Sequence, residues 1–315
     1  MKMNTENNPF TSDLYLTDGG METTLIFHYG MELRLFSAFE LLLNETGTAA
    51  LKRYYKPYLD LAELNGTDFI LETPTWRASA DWGHRLGYSP QEMESINKDA
   101  VQFMRTIKAE RNLPNDILIS GNLGPRGDGY SPGVRMDIVA ACEYHLAQIK
   151  AFALADVDVV TALTINYIDE AVGILKAART LNIPAVISFT LETDGSLPSG
   201  EPLKEAIEKT DDLTDHYASH YMINCAHPTH FKTVLDTNER WKNRIQGIRA
   251  NASTKSHSEL DESTVLDEGD KHALANDYSA LHNILPHLRV IGGCCGTDHT
   301  HIAAIAKKLS KALPK

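Results

Sequence analysis

Eight short apolar runs, each closing on a polar or glycine-bearing corner and followed by a stretch of helix length, constrain this 315-residue chain more than any other feature. They lie at residues 14–17, 68–71, 117–120, 157–161, 185–189, 221–225, 245–250 and 288–291. Strands joined through helices run parallel, because a parallel pair needs a long crossover where an antiparallel pair needs only a turn. About eight such units close a (β/α)8 barrel, the TIM-barrel form of the α/β class, and the chain length suits one. An open doubly wound sheet is the rival arrangement. The expected organisation is a flexible N-terminal segment over 1–13 and a single barrel over 14–315.

Helix signals support the alternation. Ser89-Pro90-Gln91-Glu92 reads as a capping box with proline in the first turn, opening a helix that runs to about Arg111. Residues 136–155 carry Ile138, Cys142, Ile149 and Phe152 at roughly helical spacing, which makes Cys142 a small core side chain rather than a ligand. The stretch 257–270 is acidic, has no aromatic ring and follows the seventh strand. It is expected to be a solvated insertion, with a lid over the barrel mouth as the alternative.

Thirty basic against 42 acidic residues give a formal charge of −12, which disfavours a nucleic-acid partner and suits a cationic substrate. The start of the chain lacks the positive front and apolar core of a signal peptide, and no apolar run is long enough to cross a membrane. The expectation is a soluble cytoplasmic enzyme without disulfide stapling.

The chemistry is concentrated in Gly292-Gly293-Cys294-Cys295-Gly296-Thr297, directly after the last apolar run. Neighbouring side chains on a regular strand point to opposite faces, so two adjacent thiolates reach one ion only where glycines let the backbone leave the pleat. Cys225 closes the sixth run. In a barrel the C-terminal strand ends share one mouth, so Cys225, Cys294 and Cys295 become neighbours there, as do Asp18, Glu72, Asn122, Thr164, Glu192 and Asn251. Three thiolates would hold Zn2+ with its fourth tetrahedral position open, and such an ion deprotonates an incoming thiol near neutral pH. His227, as a fourth ligand, would instead close the site, but its place at a helix entrance suits capping. Three unrelated core thiols are the bland alternative, against which the adjacent pair argues.

These residues resemble the homocysteine S-methyltransferases nearly from end to end. The resemblance rests on Asp18-Gly19-Gly20-Met21, Gly121-Asn122-Leu123-Gly124-Pro125, Ser188-Phe189 with Gly195 and Gly200-Glu201 beyond, Asn224-Cys225, Asn251 and the double-cysteine motif. It implies a zinc-dependent barrel that methylates homocysteine to methionine. Cys225, Cys294 and Cys295 would be the zinc ligands, and Asp18 would help hold the amino group. The donor implied is S-methylmethionine or S-adenosylmethionine, with betaine used by other relatives. Where many members end the fourth strand with Glu-Thr, this chain reads Ala162-Leu163-Thr164, and Glu72 is expected to take over the lost acidic role. The candidate substrate contacts are Asp18, Glu72, Thr73, Asn122, Thr164 and Trp76. Trp76, Trp82 and Tyr167 are candidates to hold a cationic donor against an aromatic face. Glu22 and Glu192 are further acidic candidates, with Glu22 expected to cap or pack near the first helix and Glu192 to lie in a solvated loop. Methylation of another small thiol, and a silent zinc-binding or redox-responsive barrel, are the alternative functions.

Overall fold

A computed structural model describes residues 8–111 and 116–309. Its strands β1 (Tyr15–Leu16), β2 (Asp68–Glu72), β3 (Ile117–Leu123), β4 (Val159–Ile165), β5 (Ala185–Phe189), β6 (Tyr221–Asn224), β7 (Ile245–Ala250) and β8 (Val290–Gly293) form a closed parallel barrel in sequence order. Closure is made by β1 on β8, with Tyr15 opposite Val290 and Leu16 opposite Ile291. The expected (β/α)8 fold is the one observed.

The outer ring comprises α1 (Glu45–Asn65), α2 (Pro90–Ala109), α3 (Ile138–Leu154), α4 (Ile168–Thr180), α5 (Leu203–Leu213), α6 (Pro228–Leu235), α7 (Lys271–Ile284) and α8 (His299–Leu309). Ser89 makes the expected capping box at the start of α2. Cys142 lies on α3, partly buried against the main core. No helix among the described residues is long and apolar enough to cross a membrane.

Side chains alternate along each strand between two environments, as the pleat requires. Phe69, Leu71, Ile117, Ile119, Val160 and Ile187 face outward into the large core shared with the helices. Inward residues change character along the barrel axis. At the N-terminal end Tyr15, Ile70, Leu118, Val186, Met222 and Val290 make an apolar plug, closed from below by Phe10. Phe10 belongs to the segment expected to be flexible, yet it is buried, so order begins before Leu14. One or two steps further on, the same inward rows turn polar. Ser120 donates to Thr161 over 2.8 Å, and Ser188 to Asn224 over 2.7 Å. The polar end is the C-terminal mouth, where (β/α)8 enzymes place their chemistry.

Candidate active site at the barrel mouth

The two cysteine segments leave their strands in different ways. After β8 the chain turns over Cys294 to Thr297, with the Thr297 amide donating to the Cys294 carbonyl at 3.1 Å. Gly296 occupies this turn at φ +78°, in the left-handed region that glycine enters without penalty. A side chain there would also strike the Asp267 carbonyl. After β6, Cys225 itself takes φ +53° and its amide donates to the Arg249 carbonyl at 3.1 Å. A non-glycine residue in that region costs on the order of 1–3 kcal/mol and persists where surrounding structure holds it. Here Asn224 does so, accepting from the Thr164 amide at 2.8 Å and from Ser188.

The three sulfurs of Cys225, Cys294 and Cys295 lie within 4.8 Å of one another. Cys225 and Cys294 are joined as a disulfide. The bond lies inside the thiol cluster and joins two strand ends of the mouth, so it does not staple the surface. Cys295 is 3.8 Å from Cys225. Tetrahedral bonds of about 2.3 Å separate ligand sulfurs by about 3.8 Å, so after reduction this donor set fits Zn2+ with small side-chain movements. Asn224 Nδ2 lies 3.9 Å from the Cys294 sulfur and the Tyr130 hydroxyl 3.6 Å from that of Cys295, the kind of outer contact that orients metal ligands. His227 does not join them. Its Nδ1 accepts from the Thr229 amide at 3.3 Å and caps α6.

A cavity of about 410 Å³ opens above the sulfurs. Asp18, Glu72, Trp76, Asn122 and Thr164 all line it, as the sequence reading expected. Thr73 does not. It is fully buried and bonds Thr75 and the Asn122 amide, shaping the end of β2 without facing the cavity. Trp82 and Tyr167 are likewise removed from the donor candidates. The guanidinium groups of Arg77 and Arg85 pack on the Trp82 ring, 3.6 and 4.3 Å from its centre. Tyr167 is buried at the start of α4, where its hydroxyl accepts from the Met136 amide.

Arg249, buried near the end of β7, organises the floor. Its Nη2 donates to Asp18 Oδ1 at 2.6 Å, Nη1 pairs with Glu72, and Nε donates to the Gly293 carbonyl at 3.1 Å, next to Cys294. Burial alone would lower its pKa, but Asp18 and Glu72 outweigh that and hold the proton above the ordinary arginine range. Glu72 is therefore half of a buried ion pair as well as a cavity wall. Asn122 Oδ1 is buried and has no hydrogen-bond partner among the described residues. A buried acceptor left unpaired costs roughly 1–3 kcal/mol, which a substrate N–H would relieve.

The segment after β7 covers one side of the cavity. Residues 257–261 form a short helix, and Leu260, Val265, Leu266 and Asp267 line the cavity wall. This stretch is therefore more than the solvated insertion expected. His257 anchors it: Nε2 bonds the Cys225 carbonyl at 2.7 Å, Nδ1 pairs with Glu192 at 3.2 Å, and the ring stacks on Tyr130 at 4.0 Å.

A sequence profile described as homocysteine S-methyltransferase matches residues 15–309, almost the whole barrel. The chain belongs to the homocysteine S-methyltransferase family. It is accordingly a methyltransferase enzyme. Homocysteine S-methyltransferase 1 of Arabidopsis thaliana is 24% identical, across 94% of this chain and 93% of the plant protein. Betaine–homocysteine S-methyltransferase 1 of Rattus norvegicus is also 24% identical, over 76% of this chain and 60% of its own length. Among solved structures, the Escherichia coli homocysteine methyltransferase MmuM superposes with a TM-score of 0.75 in its oxidized form and 0.74 in its metallated form. Those structures are 21% and 20% identical to the chain, and each comparison covers 95% of this chain and 97% of the bacterial one. At that identity the likeness concerns the barrel itself.

Within this family site, Arg249, Tyr130 and His257 are residues the sequence does not single out. Arg249 had a visible signal, as the one charge in the run 245–250 and in step with Gly247 on the inward face. Tyr130 and His257 come from loops, whose approach to the cysteines has no sequence periodicity to reveal it. Glu22 lines the cavity and makes no cap, contrary to expectation.

Proposed function

We propose that this enzyme transfers a methyl group from a sulfonium or quaternary ammonium donor to the thiol of homocysteine, forming methionine, with Zn2+ held by Cys225, Cys294 and Cys295. The convergence of three sulfurs within 4.8 Å, on the floor of a cavity sized for small molecules, carries this reading. The ion supplies Lewis acidity that keeps the acceptor thiol as a thiolate at neutral pH. The protein's own work is positioning and charge. Asp18 and Asn122 line the cavity and would accept from the α-ammonium group of homocysteine, and Arg249 fixes Asp18 in place. Leu260, Val265 and Leu266 exclude water from the methyl group in flight, which favours direct displacement over hydrolysis. The thiolate attacks the methyl carbon opposite the onium atom, and the pair of electrons in the breaking bond returns to that atom, neutralising it.

S-methylmethionine and S-adenosylmethionine are the leading donors, with betaine third. Zinc content and methionine formation, measured with each donor in reduced wild type and in Cys294→Ala, test the reading. One zinc per chain and donor-dependent methionine, both lost in the variant, are expected. Bound zinc without methionine from any donor would redirect the acceptor to another small thiol.

A further inference from the structure

Five carboxylates line the cavity: Asp18, Glu22, Glu72, Asp128 and Asp267. Four of them already have a cation. Asp18 and Glu72 share Arg249, Asp128 lies 3.7 Å from Arg77, and Asp267 lies 3.5 Å from Lys255. Among the described residues, Glu22 makes no ion pair; its carboxylate accepts a hydrogen bond from its own backbone amide, and Arg77 and Arg249 reach it only through space. A half-buried carboxylate in such surroundings is short of positive charge.

Its placement is fixed by the backbone. Glu22 sits in the short helix Met21–Thr23, directly after Gly19 and Gly20. A side chain at Gly20 would come within 2.6 Å of the Cys294 carbonyl, so this helix is pressed against the cysteine turn. The cavity walls around it are apolar and aromatic, with Met21, Phe27, Trp76, Leu260 and Leu266. The aromatic faces do not complete a cage for a cation, because Arg77 already lies 4.5 Å from the Trp76 ring centre.

Resting on the methyl-transfer reading above, we infer that Glu22 is the residue that reads the positive charge of the methyl donor, selecting a sulfonium or quaternary ammonium centre over a neutral group of the same shape. In the low-dielectric cavity a single unpaired carboxylate discriminates strongly between an onium atom and carbon. The discrimination also has the right sense for catalysis. The charge vanishes as the methyl leaves, so the neutral product is held less tightly than the donor and is released. Burial raises the Glu22 carboxyl to about 7, with Asp18 adding to the rise and Arg249 and Arg77 opposing it, so a bound cation also favours its ionised form.

The test is calorimetric binding to the reduced, zinc-loaded full chain, using two pairs that differ only in the charged atom. Betaine is compared with 3,3-dimethylbutyrate, and S-methylmethionine with homoleucine. Wild type is expected to favour the cationic member of at least one pair by about tenfold or more. Glu22→Gln should lose most of that ratio while keeping the wild-type melting temperature, and Glu22→Asp should retain part of it. An unchanged ratio in Glu22→Gln, or no preference by wild type in either pair, overturns the assignment. Methionine formation is read separately, so a Glu22-dependent cation preference without methionine would remove homocysteine as the acceptor and leave the charge-reading role standing.

Discussion

Arg249 ties Asp18 to the cysteine site: its Nη2 donates to Asp18 Oδ1 across 2.6 Å, while its backbone oxygen accepts the Cys225 amide at 3.1 Å. One residue thus links strands β1, β2, β6 and β8 around the mouth, since it also holds Glu72 and the Gly293 carbonyl. Removing the guanidinium leaves two buried carboxylates facing each other without a cation. Arg249→Met is expected to cost about 3–5 kcal/mol of stability, measured by urea denaturation. Combining it with Asp18→Asn and Glu72→Gln should recover much of that loss, because the buried charges go together. A loss below about 1 kcal/mol in the single variant would show that the mouth does not depend on this residue.

The thiol cluster predicts a metal-dependent rise in melting temperature. Once the Cys225–Cys294 bond has been reduced, adding zinc should stabilise wild type, and the effect should be absent in Cys225→Ser, Cys294→Ser and Cys295→Ser. Cys142→Ala is the control, since Cys142 lies on α3 away from the cluster. It should bind zinc as wild type does. Zinc stabilisation surviving in Cys295→Ser would show that two thiolates suffice and that Cys295 has another role.

Tyr130 and His257 stack at 4.0 Å with their planes 13° apart, joining the loop after β3 to the segment after β7. His257→Ala is expected to free residues 257–267, seen as faster amide exchange there and a several-fold rise in donor KM with little change in folding stability. Tyr130→Phe keeps the stacking and loses only the hydroxyl beside Cys295. It should leave exchange in that segment unchanged. Equal exchange in His257→Ala and wild type would mean that Ser253, Ser256 and their carboxylate partners hold the segment without the imidazole.

The architecture was legible because the apolar runs and capping signals agreed on one fold, and the cysteines because strand ends in a barrel share a mouth. Strand limits were less so. The fourth strand continues past Thr161 to Ile165, through a register shift against β5 and a left-handed Thr164, neither of which has a hydropathy signature. Trp82 and Tyr167 were misplaced because distance from a strand end says nothing about which face a helix presents. Arg77 and Arg85 show why an indole near a mouth need not meet a substrate: both guanidinium groups pack on the Trp82 ring. Glu72 was rightly placed in the mouth, but its partner Arg249 lies 177 residues further along the chain, a pairing that barrel closure creates.

His220 supplies a pH prediction from the opposite end of the barrel. Its ring is fully buried, both nitrogens lack hydrogen-bond partners among the described residues, and the Phe10 ring packs on it at 4.6 Å. Burial, with Arg289 and Arg244 adding to it, pushes its pKa well below the usual histidine value. The folded chain therefore keeps His220 neutral while the unfolded chain takes up a proton below about pH 6.5. Stability from this residue is complete above that pH and falls as the pH drops, by up to about 1.4 kcal/mol per pH unit until the folded-state value is reached. Urea midpoints for wild type and His220→Leu, compared between pH 7.5 and 5, isolate the effect from other groups that titrate in the same range. The variant should lose less stability on acidification than wild type does. Equal losses would mean that acid reaches the barrel through other groups and that the plug around Phe10 does not sense protonation of His220.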